Sequence, residues 1–331
     1  MGGIRKSQRA MKGFYSFGLI FLVLLITSDT VWAQKFPAHP VNLVVNYAPG
    51  GTTDNQAKIL GDKLGEVLGQ PFIRVHKPGG GGTLGASFVA RAKPDGYTIL
   101  VATDGAMILA PLLKKVDYTY EDFTPIGIFA KGVVNLYVKK DSQYKSLSDF
   151  IAGAKKNPGQ LKVSSMGKFT HADFVIETLS RLAGIKLAHI PCKGGCAEAM
   201  TLLLGDHVAA NFCSSTLGQL EAGTVINLAT ADHERSSFFP DVPTFKELGY
   251  PLALPASYSF VVPRNTPKEV IATLSGGMKE VYKKHGAEIT EVFRRLETFP
   301  NFLDSPQSVQ ELKRSYEILS KTVKEYGWGE K

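Results

Sequence analysis

The chain has 331 residues, 44% hydrophobic and 21% charged, which is long enough for two domains of ordinary size without requiring two. Its formal charge of +8 is dispersed, with no block of like charges and no Arg-rich stripe interleaved with aromatics, which argues against nucleic-acid binding. The seven histidines (His39, His76, His171, His189, His207, His233, His285) are scattered and no H-E-x-x-H or C-x-x-C occurs, which argues against a metal site.

The first residues read as a secretory signal peptide. Arg5, Lys6, Arg9 and Lys12 are basic, Phe14 to Ile26 is apolar, and Val31-Trp32-Ala33 offers a small-residue cleavage site after Ala33. The apolar run is shorter than the roughly 20 residues a membrane span needs. Residues 34–331 then form the mature, periplasmic protein, with a charge of about +5, a mild field that favours an anionic ligand.

Beyond that point short β-rich runs alternate with helical patterns. Strands are expected over 41–47, 72–76, 97–103, 133–139, 161–165, 187–190, 208–212, 226–230 and 258–262. Helices are expected over 53–68, 87–92, 147–156, 172–183, 197–204, 216–220, 268–284 and 306–326. This β-α-β-α order predicts mostly parallel sheets with helices on both faces, and two sheets suit the length better than one very wide sheet.

In open parallel sheets ligands sit beyond the carboxyl ends of strands, where helices begin. The first such loop is Ala48-Pro49-Gly50-Gly51-Thr52-Thr53-Asp54. Its glycines let backbone approach a ligand, Thr53 with Gln56 fits a capping box, and the helix start is a ready anion site. The same residues also serve a plain turn and cap. The second loop, Lys77 to Gly85, contains the dinucleotide-like Gly80-x-Gly82-x-x-Gly85 with Asp104 about 20 residues on. Lys77-Pro78-Gly79 intervenes where the first glycine should turn at once, so a glycine loop at the lip of a cleft is the better reading. Three later loops repeat the theme: 164–171, 191–195 and 211–216, the last with Ser214 and Ser215. Lys168 and Lys193 read as solvated side chains first. No G-x-S-x-G elbow or thiol–imidazole signature occurs, so nothing here reads as an enzyme.

Three cysteines leave two readings. Either one pair is bridged and one thiol is free, with Cys192 and Cys196 the nearest pair and Cys213 left over, or all three are buried thiols.

Several of these segments resemble a known family. Pro40 to Val45 leading into Ala48 to Asp54, then Leu68-Gly69-Gln70-Pro71, Lys77-Pro78-Gly79, Gly85-Ala86 and Pro94 to Thr98, resemble the opening of the tripartite tricarboxylate transporter receptors, also called Bug-type proteins. Asn157-Pro158-Gly159, His171, Lys193-Gly194-Gly195, Leu204-Gly205, Phe239 to Thr244 and Pro263 to Pro267 continue the likeness. The resemblance implies a type II periplasmic-binding fold. Its lobe one would comprise 34–139 and 257–331 and its lobe two 140–256, joined by crossing strands at 133–139 and 258–262.

It further implies a ligand held by backbone amides, hydroxyls and water rather than by a charged pair. By position, lobe one supplies Gly51, Thr52, Thr53 and Asp54, with Asp54 ordering the loop. Lobe two supplies Ser165, Gly167, Thr170, His171, Lys193 and Gly194, while Thr103, Asp104 and Tyr258 line the cleft. The implied ligand is a small carboxylate, no cofactor is implied, and a monomeric receptor would hand its ligand to membrane transporter subunits. The alternative is a sensory adaptor presenting ligand to a receptor kinase. Cys192 stands where the family has Tyr, Ala210-Asn211-Phe212-Cys213 lacks the usual acidic residue and aromatic ending, and Lys168 replaces a small residue, so the ligand end of lobe two is altered.

Overall fold

The computed structural model describes residues 36–214, 217–236, 239–296, 298–325 and 327–328. The expected signal peptide with its cleavage after Ala33, and Ser215 and Thr216 of the last candidate loop, lie outside the described residues. All architecture below belongs to one unit, His39–Lys331.

β1 (Val41–Val45) is an almost unbroken apolar run because it is covered on both faces. It pairs in parallel with β2 (Phe72–His76) on one side and β3 (Thr98–Thr103) on the other. α1 (Thr52–Leu68) connects β1 to β2, and α2 (Thr83–Ala90) connects β2 to β3. α1 lies so close to the sheet that a Cβ at Gly61 would approach Leu43 Cδ1 to 2.7 Å. After β3 comes a π-helical turn, Gly105–Leu109, running into α3 (Ala110–Leu113). β4 (Phe123–Gly132) and β10 (Ala256–Pro263) extend the sheet antiparallel, and β11 (Thr298–Leu303) forms its edge, in the order β11-β4-β10-β3-β1-β2. Helices α8 (Lys268–Arg295) and α9 (Ser305–Glu325) pack on this sheet, α8 also against α1.

The second sheet has the order β7-β6-β8-β5-β9. β6 (Lys162–Ser165) is parallel to β7 (Ala188–Pro191) and β8 (Ala210–Cys213), and β5 (Asn135–Lys139) is antiparallel to β8 and β9 (Val225–Thr230). Four helices accompany it: α4 (Leu147–Lys156), α5 (His171–Ala183), α6 (Cys196–Leu204) and α7 (Leu217–Glu221). Ser146 caps α4 and Thr170 caps α5, each accepting a hydrogen bond from a backbone N–H three residues on.

Two features differ from expectation. The strand expected over 133–139 begins at Asn135 and lies wholly in the second sheet, while β10 lies wholly in the first. The chain therefore crosses between sheets in the linkers, 133–134 and 231–255, rather than along a shared strand. β4 and β11 went unpredicted because Pro125 and Pro300 with their neighbouring glycine or asparagine read as breakers. Proline is tolerated on an edge strand, where β11 runs, and β11 pairs with β4 only as far as Ile128.

The loop after β1 is fixed from below. Asp54, 4% exposed, accepts hydrogen bonds from the Gly50 amide at 2.9 Å, Arg74 Nη1 at 2.6 Å and His76 Nε2 at 2.8 Å. Arg74 and His76 are two apart on β2, so the period of the strand sets them on one face. Burial alone would raise the carboxyl pKa. The Gly50 amide, His76 and Arg74 outweigh it and hold it below its ordinary value.

The disulfide is Cys196–Cys213, with a Cα separation of 5.8 Å, and Cys192 is a buried free thiol. The nearest-neighbour pairing of Cys192 with Cys196 is thereby corrected. Cys196 opens α6 and Cys213 ends β8, so the bridge is tertiary, whereas Cys192 lies before the Gly194-Gly195 turn. Burial, with Glu198 adding to it, pushes the Cys192 thiol up to about 11.

Two outcomes are expected. Replacing Cys196 and Cys213 by Ser should lower stability by about 3 kcal/mol through the lost loop constraint. Urea unfolding would measure it, and thiol labelling of oxidised, denatured protein should find one free thiol, Cys192. For Asp54→Asn, the lost charge-assisted bonds should cost about 1.5–3 kcal/mol at neutral pH. Because the folded-state pKa of Asp54 is depressed, its stabilisation is complete above the ordinary value of 3.8 and lost as pH falls through the folded value. Unfolding curves of wild type and Asp54→Asn should therefore converge in acid, and a gap that persists there would show that the charge is not the cause.

Candidate ligand-binding cleft

The loops after β1, β3, β6, β7 and β8 meet between the two sheets, as the strand-end rule requires. They enclose an inner cavity of about 350 Å³, part of it open to solvent. Of the residues named from sequence, Gly51, Thr52, Thr53, Thr103, Gly194 and Tyr258 line it. Tyr47, Ala48, Met166, Gly195, Cys196 and Ser214 complete the wall. Among the described residues none of these side chains is charged.

Two helix starts supply the polarity. The expected capping box at Thr53 and Gln56 does not form, because α1 begins at Thr52 with Gly51 at the cap position and no side chain closing it. Thr53 therefore already has helical backbone, and Gln56 Nε2 donates to Thr298 Oγ1 at 3.1 Å instead. The leading N–H groups of α1, with the positive end of its dipole, are left for a ligand. Thr52 is 7% exposed, and its Oγ1 is fully buried without a hydrogen-bond partner among the described residues. Across the cavity α6 begins equally uncapped, after Gly195 at φ 74°, a conformation that favours glycine. The Gly194 amide is already engaged by Glu198 Oε2 at 2.6 Å.

Two tyrosines close the cavity. Tyr258 on the first sheet meets Ser214, just beyond β8 of the second, at 3.2 Å, and Tyr47 donates to the Gly81 carbonyl at 3.3 Å. Burial pushes both phenols above their ordinary range, so both stay protonated and able to donate to an anion.

The other sequence-named residues sit elsewhere. Gly167 and Lys193 line an outer cavity of about 620 Å³, together with the Gly79–Gly82 tract, Lys114, Lys168 and Phe169. Ser165 and Thr170 brace the loop between them. Ser165 Oγ lies 2.7 Å from His189 Nε2 and accepts from the Gly167 amide at 3.2 Å, and Thr170 Oγ1 donates to the Gly167 carbonyl at 2.8 Å. Asp173 anchors the same loop, accepting from Lys168 Nζ at 2.9 Å and the Phe169 amide at 2.8 Å, with His189 Nδ1 3.1 Å away. Burial would raise its carboxyl pKa, but His189, the Phe169 amide and Lys168 hold it down. Asp54 lies behind the first loop.

Asp104 and His171 do not line the inner cavity. They face each other at 3.4 Å, both buried, across the junction of the sheets, and line a separate cavity with Lys131, His233 and Arg314. Burial raises the Asp104 carboxyl against the opposing effects of His171 and the Ser257 amide. A Cβ at Gly105 would come within 2.7 Å of His171 Nδ1, so this contact also depends on a missing side chain.

Met166 and Ser214 fall in loops that the sequence singled out, though not as contacts, while Tyr47 and Cys196 in the wall and Lys114 in the outer cavity were missed. Tyr47 lies two residues beyond the end of β1, so the strand-end rule could have found it too had β1 been ended at Val45.

The model of the tripartite tricarboxylate transporter family receptor matches residues 56–314. The solved structure of the periplasmic binding protein BugD is 28% identical, with a TM-score of 0.82, covering 89% of this chain and 100% of that one. MatC from Rhodopseudomonas palustris with bound malate is 26% identical, with a TM-score of 0.80, covering 87% and 100%. A second R. palustris protein, with adipate, is 27% identical, with a TM-score of 0.81, covering 88% and 98%. The two-sheet architecture is thus that of type II periplasmic binding proteins, and the chain belongs to the tripartite tricarboxylate transporter receptor family.

Proposed function

We propose that this receptor captures a small carboxylate between its two lobes and hands it, chemically unchanged, to membrane subunits of a tripartite transporter. The observation that carries the reading is the uncapped start of α1, where Thr52 Oγ1 is buried and unpartnered at the wall of a cavity without formal charge. A buried hydroxyl with no partner is costly, and a carboxylate oxygen would satisfy it together with the neighbouring amides. The malate and adipate held by structural relatives are acids of this class. The protein acts in the periplasm as a monomer, after removal of residues 1–33. Its lobes are 34–139 with 257–331, and 140–256. Gly51, Thr52, Thr53, Gly194 and the Thr103 and Tyr258 hydroxyls form the inner contacts, and Gly167 and Lys193 lie at the outer end. Asp54, Ser165 and Thr170 hold the contact loops in place, and the Asp104–His171 pair ties the lobes together behind the ligand.

A thermal-shift screen of mono-, di- and tricarboxylates should reveal a ligand that raises the unfolding temperature. For that ligand, Thr52→Val keeps the side-chain shape and removes one hydrogen bond, of about 1.5–3 kcal/mol when the acceptor is charged. Calorimetry should show binding weakened roughly tenfold to a hundredfold. Thr52 is not the cap residue, so the fold should be little affected. Unchanged affinity in Thr52→Val, with binding abolished by Lys168→Met, would sink this arrangement in favour of a salt-bridge site.

A further inference from the structure

The outer cavity adjoins the inner one, with Tyr47 and Met166 lining both. Its lysines differ sharply in what they already touch. Lys168 lies 2.9 Å from Asp173 and 3.5 Å from Glu177, so its charge is matched. Lys193 is exposed and free to be hydrated. Lys114 is neither matched nor fully hydrated. It is half-buried, its Nζ lies 2.9 Å from the Gly80 carbonyl oxygen and 3.3 Å from Thr83 Oγ1, and it sits 4.7 Å from the centre of the Phe169 ring. Among the described residues its hydrogen-bond partners are uncharged and no carboxylate pairs with it.

The contacts of Lys114 reach both sides of the cleft. Gly80 and Thr83 belong to the first sheet's glycine tract, and Phe169 to the loop before α5 of the second. The tract itself touches the far side: a side chain at Gly81 would collide with the Lys168 carbonyl oxygen. A cation taken partly out of water, with carbonyl and ring partners but no anion, lacks the counter-charge that offsets its desolvation. Burial accordingly holds the Lys114 pKa below its ordinary value, with no acid acting against it.

We infer that Lys114 is the specificity-determining residue of the outer cavity, pairing with an anionic group at the far end of a ligand whose near carboxylate sits at the start of α1. This rests on the carboxylate reading above and deepens it. The selected ligand carries negative charge at both ends and passes between Tyr47 and Met166. A monocarboxylate of equal length leaves Lys114 unmatched.

Adipate and hexanoate test this, because they share a six-carbon chain and differ by one carboxylate. Calorimetry at fixed ionic strength should show adipate bound at least tenfold more tightly than hexanoate by the wild type. Lys114→Met should weaken adipate at least tenfold and change hexanoate less than twofold, collapsing the preference. Lys114→Arg, which keeps the charge, should preserve it, and Lys115→Met, at an exposed lysine that lines neither cavity, should change adipate less than threefold. Thermal unfolding of each unliganded variant checks folding, and should Lys114→Met fail to fold, Lys114→Gln takes its place. Equal loss for both acids, undiminished adipate binding without the charge, or a loss in Lys114→Arg as large as in Lys114→Met would overturn the assignment while leaving the carboxylate reading intact. If the wild type binds none of malate, adipate, hexanoate or a tricarboxylate, the carboxylate reading itself falls, and this inference with it.

Discussion

A buried carboxylate under the first loop governs the geometry of the cleft. Asp54 draws the Gly50 amide, Arg74 and His76 together, and in doing so fixes where the chain leaves β1 and where α1 begins. On the proposed reading, the consequence is an acidic residue close to the ligand carboxylate that does not repel it. Its charge is taken up by Arg74, and it faces away from the cavity that Gly51, Thr52 and Thr53 line. On the opposite side Asp173 plays the same part for the loop before α5, with Lys168, His189 and the Phe169 amide as donors. Each lobe thus uses a satisfied internal charge to hold uncharged contact groups in place, so that ligand binding need not order the loops itself.

Several of the contacts between the lobes are close approaches at glycine or through a single hydroxyl. Gly81 lies against the backbone at Lys168, Gly105 against His171, and Tyr258 reaches Ser214. Because no strand among the described residues runs through both sheets, these approaches are not imposed by a continuous strand. Asp104 and His171 are the exception in kind, a buried pair of titratable groups at the junction behind the cavity.

Much of the layout was legible because it follows from local chemistry. The apolar run of β1 predicts a doubly covered strand, the glycines after it predict a turn, and the next amphipathic stretch predicts a helix whose start faces the strand ends. Asp54 was readable as an ordering residue because a carboxylate fits poorly at an anion site. What failed to show has equally specific causes. Pro125 and Pro300 disguise β4 and β11, since position within a sheet decides whether proline is tolerated and no local window reports it. The Cys196–Cys213 bridge depends on β8 lying beside α6, which spacing along the chain cannot reveal. The cap of α1 lies two residues earlier than expected, at Gly51, enough to turn Thr53 from a cap into a wall residue and to leave Thr52 without a partner among the described residues. Lys114 follows α3 rather than a strand, so no strand-end rule points to it.

The neutral wall of the inner cavity has a consequence for how occupancy could be sensed. On the proposed reading, an anion entering there meets dipoles and hydroxyls but no opposite formal charge. Dipoles stabilise an ion without cancelling its monopole, and in a region poor in water its field falls off slowly. An occupied receptor would therefore present a different electrostatic potential at the mouth of its cleft from an empty one, even with every atom of the rim in the same place. A membrane partner could then distinguish loaded from unloaded receptor by charge as well as by shape.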